Sequence, residues 1–229
     1  MGLEVVCRLV HAPTFDEICS MSWEDVYASL ESNELRKLRP EKDERLERKF
    51  DIDAEAELLD WMDSFNHKIS NRANSFLDCL SGINDSTDGL LLISEWCSVG
   101  AWEVWEARAI LYFENATGER VENSNDLISL DTWTQIFESL NGMNESEFSE
   151  KVCMDWMQRR LDLGETLDET KDPRIAPTFE AHSRNSKTLV HAVNVLENNT
   201  ELKPLFGREY LPAFQWHYGL KTLGMISNE

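Results

Sequence analysis

Apolar side chains recur every three or four residues through much of the chain, which is the spacing of an amphipathic helix. The clearest such stretch runs from residue 53 to residue 80. Further stretches begin after Ser22, after Ser129 or Asp131, and after Asn144 or Ser146, whose side chains commonly cap helix N-termini. The pattern therefore predicts a mainly α-helical fold, an irregular bundle of about seven to nine helices.

Four other segments fill out the helix prediction. Residues 90–113 are apolar on more than one face, which is typical of a central helix, and Gly100 is a point at which that helix could divide. Residues 36–49 mix basic and acidic side chains at helical spacing, which predicts a solvated helix held by surface ion pairs. Residues 186–196 and 210–223 are predicted to form the last two helices.

Two segments depart from the helical pattern. Residues 3–10 are β-branched and partly alternating, which fits a minor N-terminal β-strand, an extended segment or the start of a helix. Residues 164–177 contain acids, lysine and two prolines, which is typical of a loop or linker. We therefore expect a main acidic helical domain over 1–163, a linker over 164–177, and a C-terminal helical segment over 178–229 packed on the same core.

The acidic residues are concentrated in the middle of the chain. The net charge is −21, and residues 51–150 hold 21 Asp and Glu against 4 Lys and Arg. Such a field attracts a basic protein surface and repels nucleic acid and anionic membranes, so we expect neither as a direct partner. Solubility alone is the other explanation of the same charge.

The cysteines and the N-terminal sequence indicate a reduced compartment. The five cysteines are odd in number, widely spaced and without a Cys-x-x-Cys pair, unlike a secreted disulfide scaffold. The first residues lack the basic and apolar regions of a secretory signal, and no apolar run approaches the roughly 20 residues that span a bilayer. We therefore expect a cytoplasmic protein.

Three acids of the clearest helix share one side of it. Glu57, Asp60 and Asp63 are three residues apart, so they project from adjacent turns, with His67 one turn beyond. Carboxylates at this spacing could bind a hard cation, although they more often form the solvated side of an amphipathic helix. We predict no metal site here.

Two further pairs of carboxylates have a spacing found in one enzyme class. Glu103 and Glu106 are followed by Glu119 and Glu122, and this arrangement resembles that of the all-α nucleoside triphosphate pyrophosphohydrolases. Pairs on facing helices could hold divalent ions that position a phosphate and activate water. In that family the second pair ends in Asp, whereas here it ends in Glu122 and begins just after a helix-breaking segment. We therefore assign the chain to no family.

The remaining residues offer no catalytic motif. The histidines and cysteines form no metal-binding cluster and the glycines form no phosphate-binding loop, so we predict neither catalytic residues nor a cofactor. The segment from Tyr210 to Tyr218 places four aromatic residues in nine positions. One helix face cannot bury them all, and exposed Tyr and Trp commonly anchor interfaces.

The sequence favours a non-enzymatic acidic protein that inhibits or regulates a basic, nucleic-acid-handling partner. Two forms fit: a nucleic-acid mimic such as an anti-restriction or anti-CRISPR protein, and an immunity protein that blocks a nuclease toxin. One alternative is a metal-dependent all-α phosphohydrolase that uses the paired glutamates, and another is a structural or regulatory helical interaction module. The predicted partner-binding residues are Glu57, Asp60, Asp63, Glu103, Glu106, Glu114, Tyr210, Trp216 and Tyr218.

Overall fold

The computed structural model describes residues 4–32, 34–47, 54–66, 75–81, 83, 86–122, 130–165, 173–208 and 211–216. The helices within these ranges are α1 (Ala12–Ser20), α2 (Trp23–Glu31), α3 (Ala54–Asn66), α4 (Phe76–Ser81), α5 (Ser86–Trp96), α6 (Glu106–Thr117), α7 (Leu130–Leu140), α8 (Glu145–Asp162) and α9 (Ile175–Asn198). A short 3₁₀ helix spans Leu35–Leu38. The strands are β1 (Glu4–His11), β2 (Ser98–Trp105), β3 (Leu202–Arg208) and β4 (Leu211–Trp216), which form one sheet in the order β2-β1-β3-β4.

The predicted fold class is confirmed. The described residues are mainly helical, with nine α-helices, and the N-terminal segment forms β1. The chain divides into two compact units. We call the one built mainly from Cys7–Trp102 and Thr200–Gly207 the α1–α5 unit, and the one built mainly from Glu103–Asn199 the α6–α9 unit. The division predicted at residues 164–177 stays a prediction. Helix α8 ends just before this segment, α9 begins within it at Ile175, and both helices belong to one unit.

An aromatic cluster anchors the α1–α5 unit. The Trp23 ring stacks on Phe76 at 5.3 Å between centroids and lies 5.9 Å from the Trp61 ring. Ser22 fixes the start of α2, because its hydroxyl oxygen accepts a hydrogen bond from the backbone N–H of Asp25 at 3.1 Å. The cap therefore holds Trp23, the first helical residue, against its aromatic neighbours.

Capping residues also set the helix ends of the α6–α9 unit. The Asn144 side chain accepts hydrogen bonds from the backbone N–H groups of Ser146 and Glu147, at 2.9 and 3.2 Å, and so begins α8. Gly118 ends α6 with φ of +78°, a left-handed conformation that favours glycine. The core of the α6–α9 unit consists of buried apolar side chains from α6, α7, α8 and α9. Trp133 of α7 and Phe148 of α8 are among the largest of them.

The prediction that residues 90–113 are helical, with a possible division at Gly100, is wrong. The segment contains the end of α5, all of β2 and most of α6. The residues of β2 are buried on both faces in large part, so their apolar run lacks the alternation that marks a strand. Gly100 lies inside β2, where an added Cβ would overlap the Cβ of Leu46. Its role is therefore to allow close packing.

Other predicted helices are also corrected. Residues 36–49 do not form an α-helix where the structure describes them: the end of the short 3₁₀ helix is followed by irregular chain and a turn. The last predicted helix is replaced over Leu211–Trp216 by β4, while residues 217–223 lie outside the described residues. The predicted helix over 186–196 is longer, because α9 begins at Ile175. Of the predicted 53–80 helix, α3 and α4 are described, and residues 67–74 between them lie outside the description.

Candidate acidic interaction surface

The three predicted acids of α3 lie on its exposed face. Glu57, Asp60 and Asp63 are all exposed, whereas Leu58 and Met62 on the opposite side are 2% and 0% exposed. The core contact of Leu58 and Met62 fixes the rotation of the helix, and so turns the carboxylates to solvent. Glu57 and Asp60 make no ion pair or hydrogen bond with another described residue through their side chains. Two of the three acids are therefore available to a partner.

The third acid joins α3 to α2. The Tyr27 hydroxyl of α2 donates a hydrogen bond to the carboxylate of Asp63. This bond, with partial burial and the nearby charges of Asp63 and Glu31, raises the pKa of Tyr27 to about 12. Glu31 at the end of α2 is exposed and adds a negative charge beside the pair. We call Glu31, Glu57, Asp60 and Asp63 the α2–α3 acidic surface.

Glu114, which the sequence places in the same binding role, has a different environment. It lies on α6, its side chain is 15% exposed, and it forms an ion pair with Arg159 of α8. Its second oxygen accepts a hydrogen bond from the backbone N–H of Val121 at 3.1 Å. The Glu114 carboxylate is thus already bound inside the α6–α9 unit.

Several further contacts surround that ion pair. The Arg159 Nε donates to Asp155 at 2.9 Å, and Asp155 also accepts from the buried Asn115 side chain at 3.3 Å. Lys151 Nζ donates to the backbone carbonyl of Asn115 at 2.6 Å. The hydrogen bond from Arg159 to Glu114 and the neighbouring negative charges outweigh partial burial and raise the pKa of Arg159. This network joins α6 to α8, and its acids are largely neutralised.

The paired glutamates do not lie on facing helices. Glu103 is a half-buried residue of β2, and Glu106 is the first residue of α6, while the placement of its side chain lies outside the description. Glu119 and Glu122 are exposed residues in irregular chain after the Gly118 cap. Among the described residues, no group of three or more His, Cys, Asp and Glu is placed to hold a metal ion. The helical arrangement on which the phosphohydrolase alternative depends is therefore wrong.

The role predicted for the aromatic anchors stays a prediction. Tyr210 and Tyr218 lie outside the described residues, as does His67, and for Trp216 only the backbone position in β4 is described. A different tryptophan is exposed instead: Trp105, at the end of β2, is 52% exposed, and the Arg108 guanidinium lies 5.3 Å from its ring centroid. The apolar pattern gave no sign of this, because it placed Trp105 inside a buried helix.

The structure also contains a buried ion pair that the sequence reasoning missed. Arg8 of β1 is 7% exposed, and its guanidinium lies 2.5 Å from the carboxylate of Glu95 on α5. Burial raises the pKa of Glu95, and the negative charge of Glu57 raises it further. The positive charges of Arg8 and Lys42 act in the opposite direction, and the net shift of the pKa is upward. The available signal was a single charged residue inside an apolar, strand-like segment.

Comparisons with protein-family models, with curated proteins and with solved structures find no match to this chain. Within the ranges that the structure describes, no helix has both the length and the apolar character needed to cross a bilayer.

Proposed function

We propose that this chain is a non-enzymatic acidic binding protein that inhibits or regulates a basic, nucleic-acid-handling partner. The observation that carries the proposal is the α2–α3 acidic surface, where Glu57 and Asp60 are exposed and form no ion pair with another described residue. Carboxylates held on a packed helix occupy fixed positions, as phosphates do along a nucleic acid. A nucleic-acid mimic and an immunity protein against a nuclease toxin both fit this description.

The charge distribution supports the proposal in a second way. Most of the chain's excess of −21 falls in residues 51–150, which include α3. A concentrated negative field speeds the encounter with a positive surface, and pre-positioned side chains reduce the ordering cost of binding. Glu114 is left out of the proposed surface because Arg159 already neutralises it.

The test is affinity capture with nucleic acid as the eluant. The tagged protein is incubated with nuclease-treated lysate of the source cells at about 50 mM salt and about 500 mM salt, over which the Debye length falls from roughly 14 Å to roughly 4 Å. We expect a basic protein to be captured at low salt and released by double-stranded DNA or by RNA. A captured protein that neither salt nor nucleic acid releases would contradict the proposal, as would the absence of any captured protein.

A matched pair of variants locates the surface. The Glu57→Gln/Asp60→Asn/Asp63→Asn triple variant removes three charges from α3, and Glu138→Gln/Glu147→Gln/Glu150→Gln removes three exposed charges from α7 and α8. Both variants change the net charge equally. We expect only the α3 variant to lose capture, with an affinity reduced about tenfold or more, because each close charge pair contributes of the order of 1 kcal/mol. An equal loss of capture in both variants would show that binding depends on the net charge of the chain and not on the α2–α3 acidic surface.

A further inference from the structure

Exposed apolar side chains are concentrated at one place in the described part of the chain. The large apolar residues with the greatest exposure there are Trp105 at 52%, Met154 at 59%, Leu161 at 47% and Leu163 at 73%. Three of the four belong to α8 or follow it directly. Single exposed apolar residues are common on any protein, whereas several on one element often mark an interaction surface.

The exposed apolar residues of α8 have the spacing of a helix-packing row. Met154, Met157 and Leu161 are separated by three and then four residues, so they lie along one side of the helix, and Met157 is partly exposed. The opposite side of α8 lies in the core of the α6–α9 unit, where Phe148 and Val152 are each 0% exposed. The helix is therefore apolar on two sides, and the core of its own unit uses one of them.

Two acids continue this row toward the start of α8. Glu147 and Glu150 lie seven and four residues before Met154, so they project from the same side of the helix. Both are exposed, and neither carboxylate forms an ion pair with another described residue. The side of α8 that faces away from the core thus combines an acidic end with an apolar end. We call this set the α8 outer row, which consists of Glu147, Glu150, Met154, Met157 and Leu161.

The chemistry of the α8 outer row determines which partner fits it. Helices pack against one another through apolar residues at this spacing, and methionine side chains adapt to apolar partners of different shapes. The unpaired acids at one end are complementary to cations at the matching end of a partner. We therefore propose that the α8 outer row binds an amphipathic helix of another protein, one that carries an apolar row followed by Lys or Arg at one end.

A second copy of this chain fits the α8 outer row poorly. Two cations of α8 on the flanks of the row are already engaged: Arg160 pairs with Glu165 at 2.8 Å, and Lys151 Nζ donates to the backbone carbonyl of Asn115 at 2.6 Å. Each chain has a net charge of −21, so two copies repel one another. The α8 outer row is also independent of the α2–α3 acidic surface, because the two belong to different units.

The test is an NMR titration of the full chain with the methionine methyl groups as reporters. Three synthetic peptides of about 18 residues serve as probes, a length at which an isolated helix can form. The basic probe has leucines separated by three and four residues and about four lysines at one end. The acidic probe has glutamate in place of each lysine. The shuffled probe has the composition of the basic probe without its spacing.

We expect the basic probe to shift the methyl signals of Met154 and Met157 and to leave that of Met62, which is 0% exposed in the α1–α5 unit. The acidic probe should bind at least about tenfold more weakly, because it brings like charge to Glu147 and Glu150. The shuffled probe should give no saturable shift of the two reporters. The absence of a shift with the basic probe would overturn the proposal, as would equal binding of the basic probe and either of the others.

Apolar variants of the surface test the row itself. Met154→Gln/Leu161→Gln removes two exposed apolar side chains, and we expect it to lower the affinity for the basic probe at least about tenfold, with Met157 as the remaining reporter. Trp105→Gln is the control, because it removes an exposed apolar side chain elsewhere in the same unit, and it should retain binding. Unchanged binding by the double variant, or an equal loss in the control, would overturn the proposal.

Acidic variants test the charge at the end of the row. Glu147→Gln/Glu150→Gln should lower the affinity for the basic probe about threefold or more, because its lysines lose their complementary charges. Glu138→Gln/Glu197→Gln removes the same number of exposed charges from α7 and α9, and it should retain binding. An equal effect of the two variants would overturn the proposed pairing, because binding would then depend on the net charge of the chain.

Discussion

The two units place similar acidic side chains in different environments. In the α1–α5 unit, the buried charges of Arg8 and Glu95 are paired, while Glu57 and Asp60 lie open on the surface. In the α6–α9 unit, the partly exposed acids Glu114 and Asp155 are paired with Arg159. An acid is therefore neutralised within the fold or left open to a partner according to whether a cation of a neighbouring residue reaches it. An open acidic surface suits a basic macromolecule, and a paired acid contributes to the packing of its own unit.

The largest effect should come from breaking the buried pair of the α1–α5 unit. We expect Arg8→Met to lower the free energy of unfolding by about 3–5 kcal/mol, because it leaves the Glu95 carboxylate buried without its cation. Arg8→Met/Glu95→Leu should recover most of this loss, since no buried charge remains. Urea unfolding measures both values. Lys37→Met is the control, because Lys37 and its partner Glu34 are both exposed and such pairs contribute about 0–1 kcal/mol. An equal cost for Arg8→Met and Lys37→Met would remove the distinction between interior and surface charge in this unit.

The next effect concerns pH and the α6–α9 unit. His182 has a pKa of about 4 in the folded chain and about 6.5 when unfolded. The stability that depends on its neutral form is therefore fully present above pH 6.5. This contribution is lost as the pH falls from 6.5 to 4, because the unfolded chain then binds the proton more readily. We expect it to lower the free energy of unfolding by about 2 kcal/mol between about pH 7 and about pH 5. His182→Gln should remove that share of the pH dependence, and His191→Gln should retain it. If both variants behave like the wild-type chain, His182 is not enclosed as a neutral group.

The smallest effect separates the paired acids from the open ones. We expect Glu114→Gln to lower the free energy of unfolding by about 1 kcal/mol, because it weakens a charge-assisted contact that is only partly shielded from water. Glu57→Gln should have no cost, since it removes a negative charge close to Glu95. A double-mutant cycle of Glu114→Gln with Arg159→Gln measures the coupling directly. A cost for Glu57→Gln as large as that for Glu114→Gln would show that the α3 acids are engaged as well.

Helices with a local start signal were predicted well. Ser22 caps α2 as expected, and Asn144 caps α8 in place of the alternative candidate Ser146, because a cap depends on a few adjacent residues. The strands β2 and β4 were missed. An apolar run buried on both faces has no period of its own, and β-structure depends on partners distant in the chain. Gly100 illustrates the difficulty, since its neighbour Leu46 is far away in sequence.

The candidate surface was predicted in part. The exposed acids of α3 follow from the apolar face of the same helix, which the sequence contains in full. The sequence does not show in the same way whether an acid is paired. Glu114 and Glu57 are both acids on predicted helices, but the cation that pairs with Glu114, Arg159, lies 45 positions away in the chain.

All five cysteines are free and buried, and they are distributed unequally. Cys7, Cys19, Cys79 and Cys97 belong to the α1–α5 unit, whereas Cys153 is alone in the α6–α9 unit. Burial raises the pKa of each thiol, so an alkylating reagent modifies them only when the surrounding structure opens. Intact-mass spectrometry of the labelled chain would then count openings by unit, with one added label for one unit and four for the other. The wild-type sequence thus contains its own reporter of which unit opens first.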